Sequence, residues 1–401
     1  MKAFTLKNGL QVIVEKRRTD TVTIEATVKV GSNQESLRLN GISHFLEHML
    51  FEGTKKRKNV EIISNEVERL GGELNAYTTN ERTSYYIKVP KKHFLKALNI
   101  LSDMIQNSIF DQERVEKERK IILKEINIHK DEPRMYQWDL FQRTLFRTHP
   151  NKRPVYGSVK TMKAITRSDL IGYYKKYYAP NNIILSIVGD VPNPRKYVEA
   201  YFGDFRKKPV SHKLIYEGPN TKVIIKKERR KILNSYLMLG YKTVPRTHKD
   251  SYVLDAIKAI LARGQSGKLF LEIRVKRGLA YEVNAQHEAS IDHGFFVVYL
   301  NTNKKNIQKT VSIILKEFKK LQDVGVKELS EAKGYLEGQF ILDNEDTHDR
   351  ADELSSWALV GKPELFDEYL KEIRKISVKD IVRVSNKYFT PYYAMTVIEQ
   401  A

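Results

Sequence analysis

Positions 41 to 48 read Gly-Ile-Ser-His-Phe-Leu-Glu-His. Wound as a helix, this stretch puts Ile42, Phe45, Leu46, Met49 and Leu50 at the i, i+3, i+4, i+7, i+8 spacing of a buried stripe. His44, Glu47 and His48 fall on the opposite side. His44 and His48 are one turn apart, so both imidazoles reach one point above the helix. That is ligand geometry for zinc. Glu47 sits between them and does not easily reach the same ion from the same turn. It can hydrogen-bond a water at that point and take its proton. The order is His-x-x-Glu-His, the inverse of the His-Glu-x-x-His helix of metallopeptidases. A solvated helix face carrying two histidines by chance is the plainer reading, so the rest of the chain must decide.

A third ligand has to come from elsewhere. The 401-residue chain contains no cysteine, which leaves His and carboxylate as the only donors for a transition metal. The stretch from Asp111 to His129 predicts a long helix, with Asp111 as N-cap and Asp131-Glu132-Pro133 as its stop. Glu118 and Glu125 lie two turns apart on it and share a face. Either could complete a two-histidine, one-glutamate site with an open fourth position. Exposed helical glutamates such as Glu113 and Glu116 set the standard that they have to beat.

The elements around these two helices follow from pattern. Gln11 to Glu15 and Thr23 to Val30 alternate as strands. The polar loop Gly31-Ser32-Asn33-Gln34-Glu35 leads into the histidine helix. A second helix runs from about Val60 to Leu70 and stops at Gly71-Gly72. Glu73 to Thr79 follows, then a strand from Thr83 to Val89 and a helix from Lys92 to Ile105.

The chain also repeats itself. Ile165-Thr166-Arg167-Ser168-Asp169 followed by Lys176-Tyr177-Tyr178-Ala179-Pro180 is matched by Ile376-Ser377-Val378-Lys379-Asp380 followed by Lys387-Tyr388-Phe389-Thr390-Pro391. Each ends in an apolar strand, and Asn75-Ala76 has its echo in Asn284-Ala285. Two α+β domains of the same topology follow, each a largely antiparallel sheet with helices packed on one face. The boundaries read as 1–208, a Pro- and Gly-containing linker at 209–218, and 219–401. The counterpart of the histidine helix, about Tyr252 to Ile257, holds no histidine, so one metal ion per chain is expected, on the first domain.

His44-Phe45-Leu46-Glu47-His48, with Glu125 following His48 by 77 positions, resembles the pitrilysin/insulinase family of zinc peptidases. The resemblance extends to Gly31-Ser32, Phe51-Glu52-Gly53-Thr54, Gly71-Gly72 and Asn75-Ala76-Tyr77-Thr78, and chain length points to the branch similar to mitochondrial processing peptidase. It implies zinc held by His44, His48 and Glu125, with Glu47 as general base and Glu118 orienting a ligand. It makes Asn75, Ala76, Tyr77 and Thr78 an exposed edge strand for peptide substrates. In Leu269 to Tyr281 it implies that Arg274 and Tyr281 bind the substrate backbone and polarise the scissile carbonyl. Lys268 stands where the family usually has Arg. Relatives enclose unfolded peptides in a clamshell chamber of four such domains. This chain supplies two, which implies a homodimer, while a heteromeric partner subunit or a non-catalytic scaffold role is the alternative.

The net charge of +21 raises a third possibility, a nucleic-acid binder. The basic clusters Lys55 to Lys58 and Lys226 to Lys231 lack interleaved aromatics and belong to no nucleic-acid module, so a solvated surface is the expectation, with no nucleic-acid partner. No apolar run approaches the roughly 18 residues of a membrane span, and no leader precedes the first strand, so neither membrane association nor export is expected and a cytoplasmic location is. His287 and His293 around Asp292, and His348, read as a solvated loop and an exposed helix end.

Overall fold

The computed structural model describes residues 1–401. Its strands are β1 (Lys2–Thr5), β2 (Gln11–Glu15), β3 (Thr21–Val28), β4 (Glu73–Thr78), β5 (Thr83–Pro90), β6 (Ile183–Gly189), β7 (Ile224–Arg230), β8 (Ser235–Thr243), β9 (Ala280–Ala289), β10 (Gly294–Thr302) and β11 (Ala394–Gln400). Its helices are α1 (Ile42–Phe51), α2 (Val60–Glu68), α3 (Phe94–Asn107), α4 (Gln112–Asp131), α5 (Pro133–Leu145), α6 (Val159–Ala164), α7 (Arg167–Tyr177), α8 (Pro194–Phe202), α9 (Lys249–Ala262), α10 (Ile307–Lys319), α11 (Val326–Asp343), α12 (Thr347–Leu359), α13 (Leu365–Lys375) and α14 (Val378–Tyr388). No helix is long and apolar enough to cross a membrane.

The chain forms two compact units, and they are not contiguous halves. The first holds residues 1–128, 153–213 and 343–366; the second holds 129–152, 214–342 and 367–401. The linear division at 209–218 therefore misses an exchange. Helix α5 belongs to the second unit although it lies in the first half of the chain, and α12 belongs to the first although it lies in the second half.

In the first unit six strands are ordered β1-β2-β6-β3-β5-β4, with only β2 and β6 parallel. The two faces of β3 differ. Val22, Ile24, Ala26 and Val28 are buried in one large cluster with the apolar stripes of α1 and α3. Thr23, Glu25 and Thr27 alternate to the other face and are also fully buried, because α12 covers them. The Thr347 and Thr23 hydroxyls are 2.9 Å apart, Ser355 and Ser186 are 2.8 Å apart, and the Arg350 guanidinium holds Glu15 at 2.5 Å. The principal helical layer thus lies on one face, and one further helix crosses the other face through polar contacts.

The second unit repeats the plan with five strands, β7-β11-β8-β10-β9, again with one parallel pair, β7 and β11. Each occupies the place of β2, β6, β3, β5 and β4 in turn. The repeat reaches the hydrogen bonds. Thr166 and Asp169 at the start of α7 form a capping box, and so do Ser377 and Asp380 at the start of α14. In β4 the Ala76 N–H donates to Asn75 Oδ1 at 2.8 Å; in β9 the Ala285 N–H donates to Asn284 Oδ1 at the same distance. Here the crossing helix, α5, packs through apolar groups: Phe141 and Leu145 join Met238, Phe295, Val297 and Ala394. Gly240 has no side chain because a Cβ there would stand 2.8 Å from the Phe141 ring and 2.3 Å from the Phe296 carbonyl oxygen.

Candidate metal centre

Helix α1 starts on Gly41, whose φ of +98° is open to glycine and strained for other residues. The start is fixed by Glu35 from the preceding loop. Its Oε2 accepts from the Gly41 N–H at 2.7 Å and from Asn40 Nδ2 at 2.9 Å, and its Oε1 accepts from the Ser43 N–H at 2.9 Å. A carboxylate at a helix N-terminus satisfies otherwise orphaned donors and complements the helix dipole. The apolar side of α1 then locks its rotation, since Ile42, Phe45, Leu46, Met49 and Leu50 are all fully buried. That leaves His44, Glu47 and His48 facing α4, which buries Val115, Ile122 and Ile126 and turns Glu118 and Glu125 toward the histidines.

The result is a tight cluster. His44 Nε2 lies 3.9 Å and His48 Nε2 3.6 Å from Glu125 Oε2, and ligand atoms of all three residues lie within 4.8 Å of one another. Tetrahedral zinc with bonds of about 2.0–2.2 Å would hold its ligand atoms roughly 3.4 Å apart, close to the two separations from Glu125. Between the two glutamates left open by spacing alone, Glu125 takes the inner place. Glu118 Oε2 is 3.0 Å from His48 Nδ1, on the far side of that ring. A hydrogen on Nδ1 donated to Glu118 leaves the Nε2 lone pair aimed into the cluster. Burial opposes charge on His48, yet the Glu118 hydrogen bond and the nearby Glu125 and Glu47 carboxylates raise its pKa. The donor set present is therefore one that fits zinc.

Glu47 Oε2 accepts a hydrogen bond of 2.5 Å from the Thr78 hydroxyl of β4. Burial holds the Glu47 carboxyl above its ordinary range, with Thr78 and His48 working against that rise and Glu125 adding to it. β4 is the outer strand of its sheet and pairs only with β5. Asn75, Ala76, Tyr77 and Thr78 all lie on β4. Arg274 and Tyr281 belong to the second unit, where the guanidinium carbon stands 4.4 Å from the Tyr281 ring centroid and the ring is 74% exposed. Arg274 sits in a π-helical turn, Phe270–Val275.

His287 and His293, expected in a solvated loop, are instead packed inside the second unit. His293 is buried at the β9–β10 turn with His149, which follows α5. Asp292 Oδ1 accepts from His149 Nε2 at 3.1 Å and from His293 Nδ1 at 2.9 Å, and its Oδ2 accepts from the Ile215 N–H at 2.8 Å. His149 Nδ1 in turn accepts from the Asn151 N–H at 3.1 Å, so its Nε2 carries the proton and does not offer a lone pair. These bonds hold Asp292 well below the carboxylate range despite its burial. His287 pairs with Asp255 at 2.7 Å, and His348 stacks on Tyr86 at 3.6 Å between centroids. The partners come from distant segments, which is why local composition suggested exposure. Glu35 escaped sequence reading for a related reason: no cap rule looks six residues ahead of a helix.

Comparison with known proteins agrees with this fold. Residues 11–159 match the model of the insulinase family, peptidase family M16, and residues 164–336 match the model described as the peptidase M16 inactive domain. A Bacillus subtilis protein named "Uncharacterized zinc protease YmxG" is 30% identical over 403 residues, covering 99% of this chain and 98% of its own. A Rickettsia felis "Uncharacterized zinc protease" is 32% identical over 401 residues, covering 98% and 96%. A crystal structure of a protease from Helicobacter pylori superposes with a TM-score of 0.94 at 26% identity, covering 99% of both chains. The chain belongs to the insulinase family of peptidases, family M16. A structure titled as the peptidase M16 inactive domain from Pseudomonas fluorescens shares the fold, with a TM-score of 0.92 at 19% identity and coverage of 100% and 98%.

Proposed function

We propose that this chain is a zinc endopeptidase of the processing-peptidase-like branch, acting on unfolded peptides. One observation carries the reading: His44, His48 and Glu125 converge on one point with Glu47 beside it. Zinc there, one ion per chain, would supply a Lewis acid for the peptide carbonyl and make water easier to deprotonate. Glu47 takes the proton from the attacking water and returns it to the departing amine nitrogen. Glu118 keeps the His48 ring in its working tautomer. An extended peptide adds to the free edge of β4 through main-chain hydrogen bonds, which favours unfolded substrates over a particular sequence. Arg274 and Tyr281 are donors for the substrate backbone and the developing oxyanion, and they serve the zinc of a second copy in a homodimer. The alternative, a non-catalytic subunit of a heteromeric peptidase, would make little use of an intact ligand set and base.

The deciding experiment is cleavage of an unstructured peptide of about 30 residues by zinc-loaded wild type and Glu47→Gln. Loss of the base should lower kcat by about 100-fold or more. Equal rates in both proteins would exclude Glu47 as the base. No cleavage by either, with zinc bound, would favour the subunit role.

A further inference from the structure

Successive residues of β4 point to opposite faces, and both faces are held. Thr78 points to α1 and donates to Glu47. Tyr77 points to α12, where its hydroxyl donates to Asp352 Oδ1. Arg82, just past the turn from β4, donates through Nη2 to both oxygens of Asp352, 2.9 Å each. Its guanidinium carbon is 5.4 Å from the Tyr77 ring centroid. The turn between is itself tied, with the Thr79 N–H donating to the Arg82 carbonyl at 2.8 Å and the Thr79 hydroxyl accepting from the Arg82 N–H at 3.1 Å.

The geometry matters because β4 is an edge strand with one neighbour. A slip of one residue would exchange its faces and move Thr78 away from Glu47. Asp352 opposes that slip, since only Tyr77 brings a hydroxyl to it while Arg82 binds both of its oxygens. Half-buried polar partners with this fixed geometry favour one arrangement over its neighbours. We propose that Asp352, acting through Tyr77 and Arg82, is a positioning residue that fixes the register of β4 and so holds Thr78 against Glu47. The proposal rests on Glu47 being the general base, and it assigns a role in the site to a helix that the chain supplies more than 250 residues after β4.

The test is a cycle on zinc-loaded protein with the same unstructured peptide. Asp352→Asn, Tyr77→Phe and Thr78→Val should each lower kcat about ten- to a hundredfold, and Thr78→Ser, which keeps the hydroxyl, should recover part of the loss seen in Thr78→Val. Asp352→Asn added to Thr78→Val should cost no more than Thr78→Val alone, because both break one connection. Amide exchange in segment 73–78 should quicken in Asp352→Asn and Tyr77→Phe and stay unchanged in β3. Tyr77→Phe removes a single hydroxyl and carries the test if Asp352→Asn fails to fold. Additive losses in the double variant, or unchanged exchange in segment 73–78, would overturn the proposal. Should wild type prove inactive, the peptidase reading fails by itself, and the exchange measurement still decides whether Asp352 holds the strand.

Discussion

At the scale of single residues, two carboxylates with opposite environments make separate predictions. Glu118 does not enter the ligand cluster, and its value lies in the 3.0 Å bond to His48 Nδ1. Glu118→Gln keeps the shape but lets the amide present its NH2 to that nitrogen and favour the other tautomer. Zinc affinity, measured by competition with a chelator, should fall about 10- to 100-fold. Glu25 is fully buried on β3 beneath α12, with Thr27 donating to Oε1 at 2.8 Å and no partner for Oε2. Burial and the Asp352 carboxylate raise its pKa, while Arg82, Thr27 and Ser84 oppose the rise. A raised carboxyl binds its proton more tightly in the folded state. Its cost to stability is therefore absent below the ordinary carboxylate pKa and grows as pH climbs toward the raised one. Glu25→Gln removes the ionisation. The variant should be more stable than wild type at pH 8 by about 1 kcal/mol, with the gap closing toward pH 4 in denaturant titrations. A gap that widens on acidification would contradict this assignment.

At the scale of elements, the start of α1 governs the site, since a rotation there moves both histidines. Gly41→Ala puts a Cβ 2.4 Å from Met162 Cε and 2.8 Å from the Tyr156 carbonyl oxygen, at a φ of +98°. Gly71 also has a positive φ, +68°, yet a Cβ there meets nothing within 4 Å. Thermal unfolding should show Gly41→Ala costing about 3 kcal/mol and Gly71→Ala about 1 kcal/mol. Only the first should weaken zinc binding as well. Equal losses would mean that backbone strain alone is at work. The contrast also separates what the sequence discloses from what it hides. The two faces of α1, the shared face of Glu118 and Glu125, and the paired capping boxes of α7 and α14 are local, with periods that a sequence displays. The Glu35 cap reaches from just beyond the range of any helix-start rule, while the His149–Asp292–His293 knot and the choice of Glu125 over Glu118 depend on segments that meet only after folding. For that last choice spacing leaves both glutamates open, and it is the resemblance to the family that names Glu125.

At the scale of the whole molecule, the chain passes between its two units at 128, 152, 213, 342 and 366, because α5 and α12 are exchanged. This exchange is invisible to pattern reading. Thr23, Glu25 and Thr27 alternate with Val22, Ile24 and Ala26 as they would on a sheet with one wet face, and nothing in that alternation reveals a covering helix. On the other sheet the covering helix is apolar, and Phe141 and Leu145 simply look like a helix stripe. The two interfaces predict different failures when the chain is cut at the 209–218 segment. Fragment 1–208 would keep α5 without its sheet, leaving Phe141, Leu145 and Phe146 uncovered, and would lose α12 from its own. Uncovered apolar groups of this size bind hydrophobic dyes and promote association. Fragment 219–401 would lose the cover over Met238, Phe295 and Val297. Neither fragment alone should show cooperative unfolding with the midpoint of the intact chain, whereas co-expression should restore a complex that does. A sharp, wild-type-like transition in fragment 1–208 by itself would mean that the polar seam under α12 contributes little. Were that seam only a filler, Ser355→Ala and Thr347→Val in the intact chain would likewise leave its unfolding midpoint unchanged, whereas the exchange predicts a loss in each of about 1 kcal/mol.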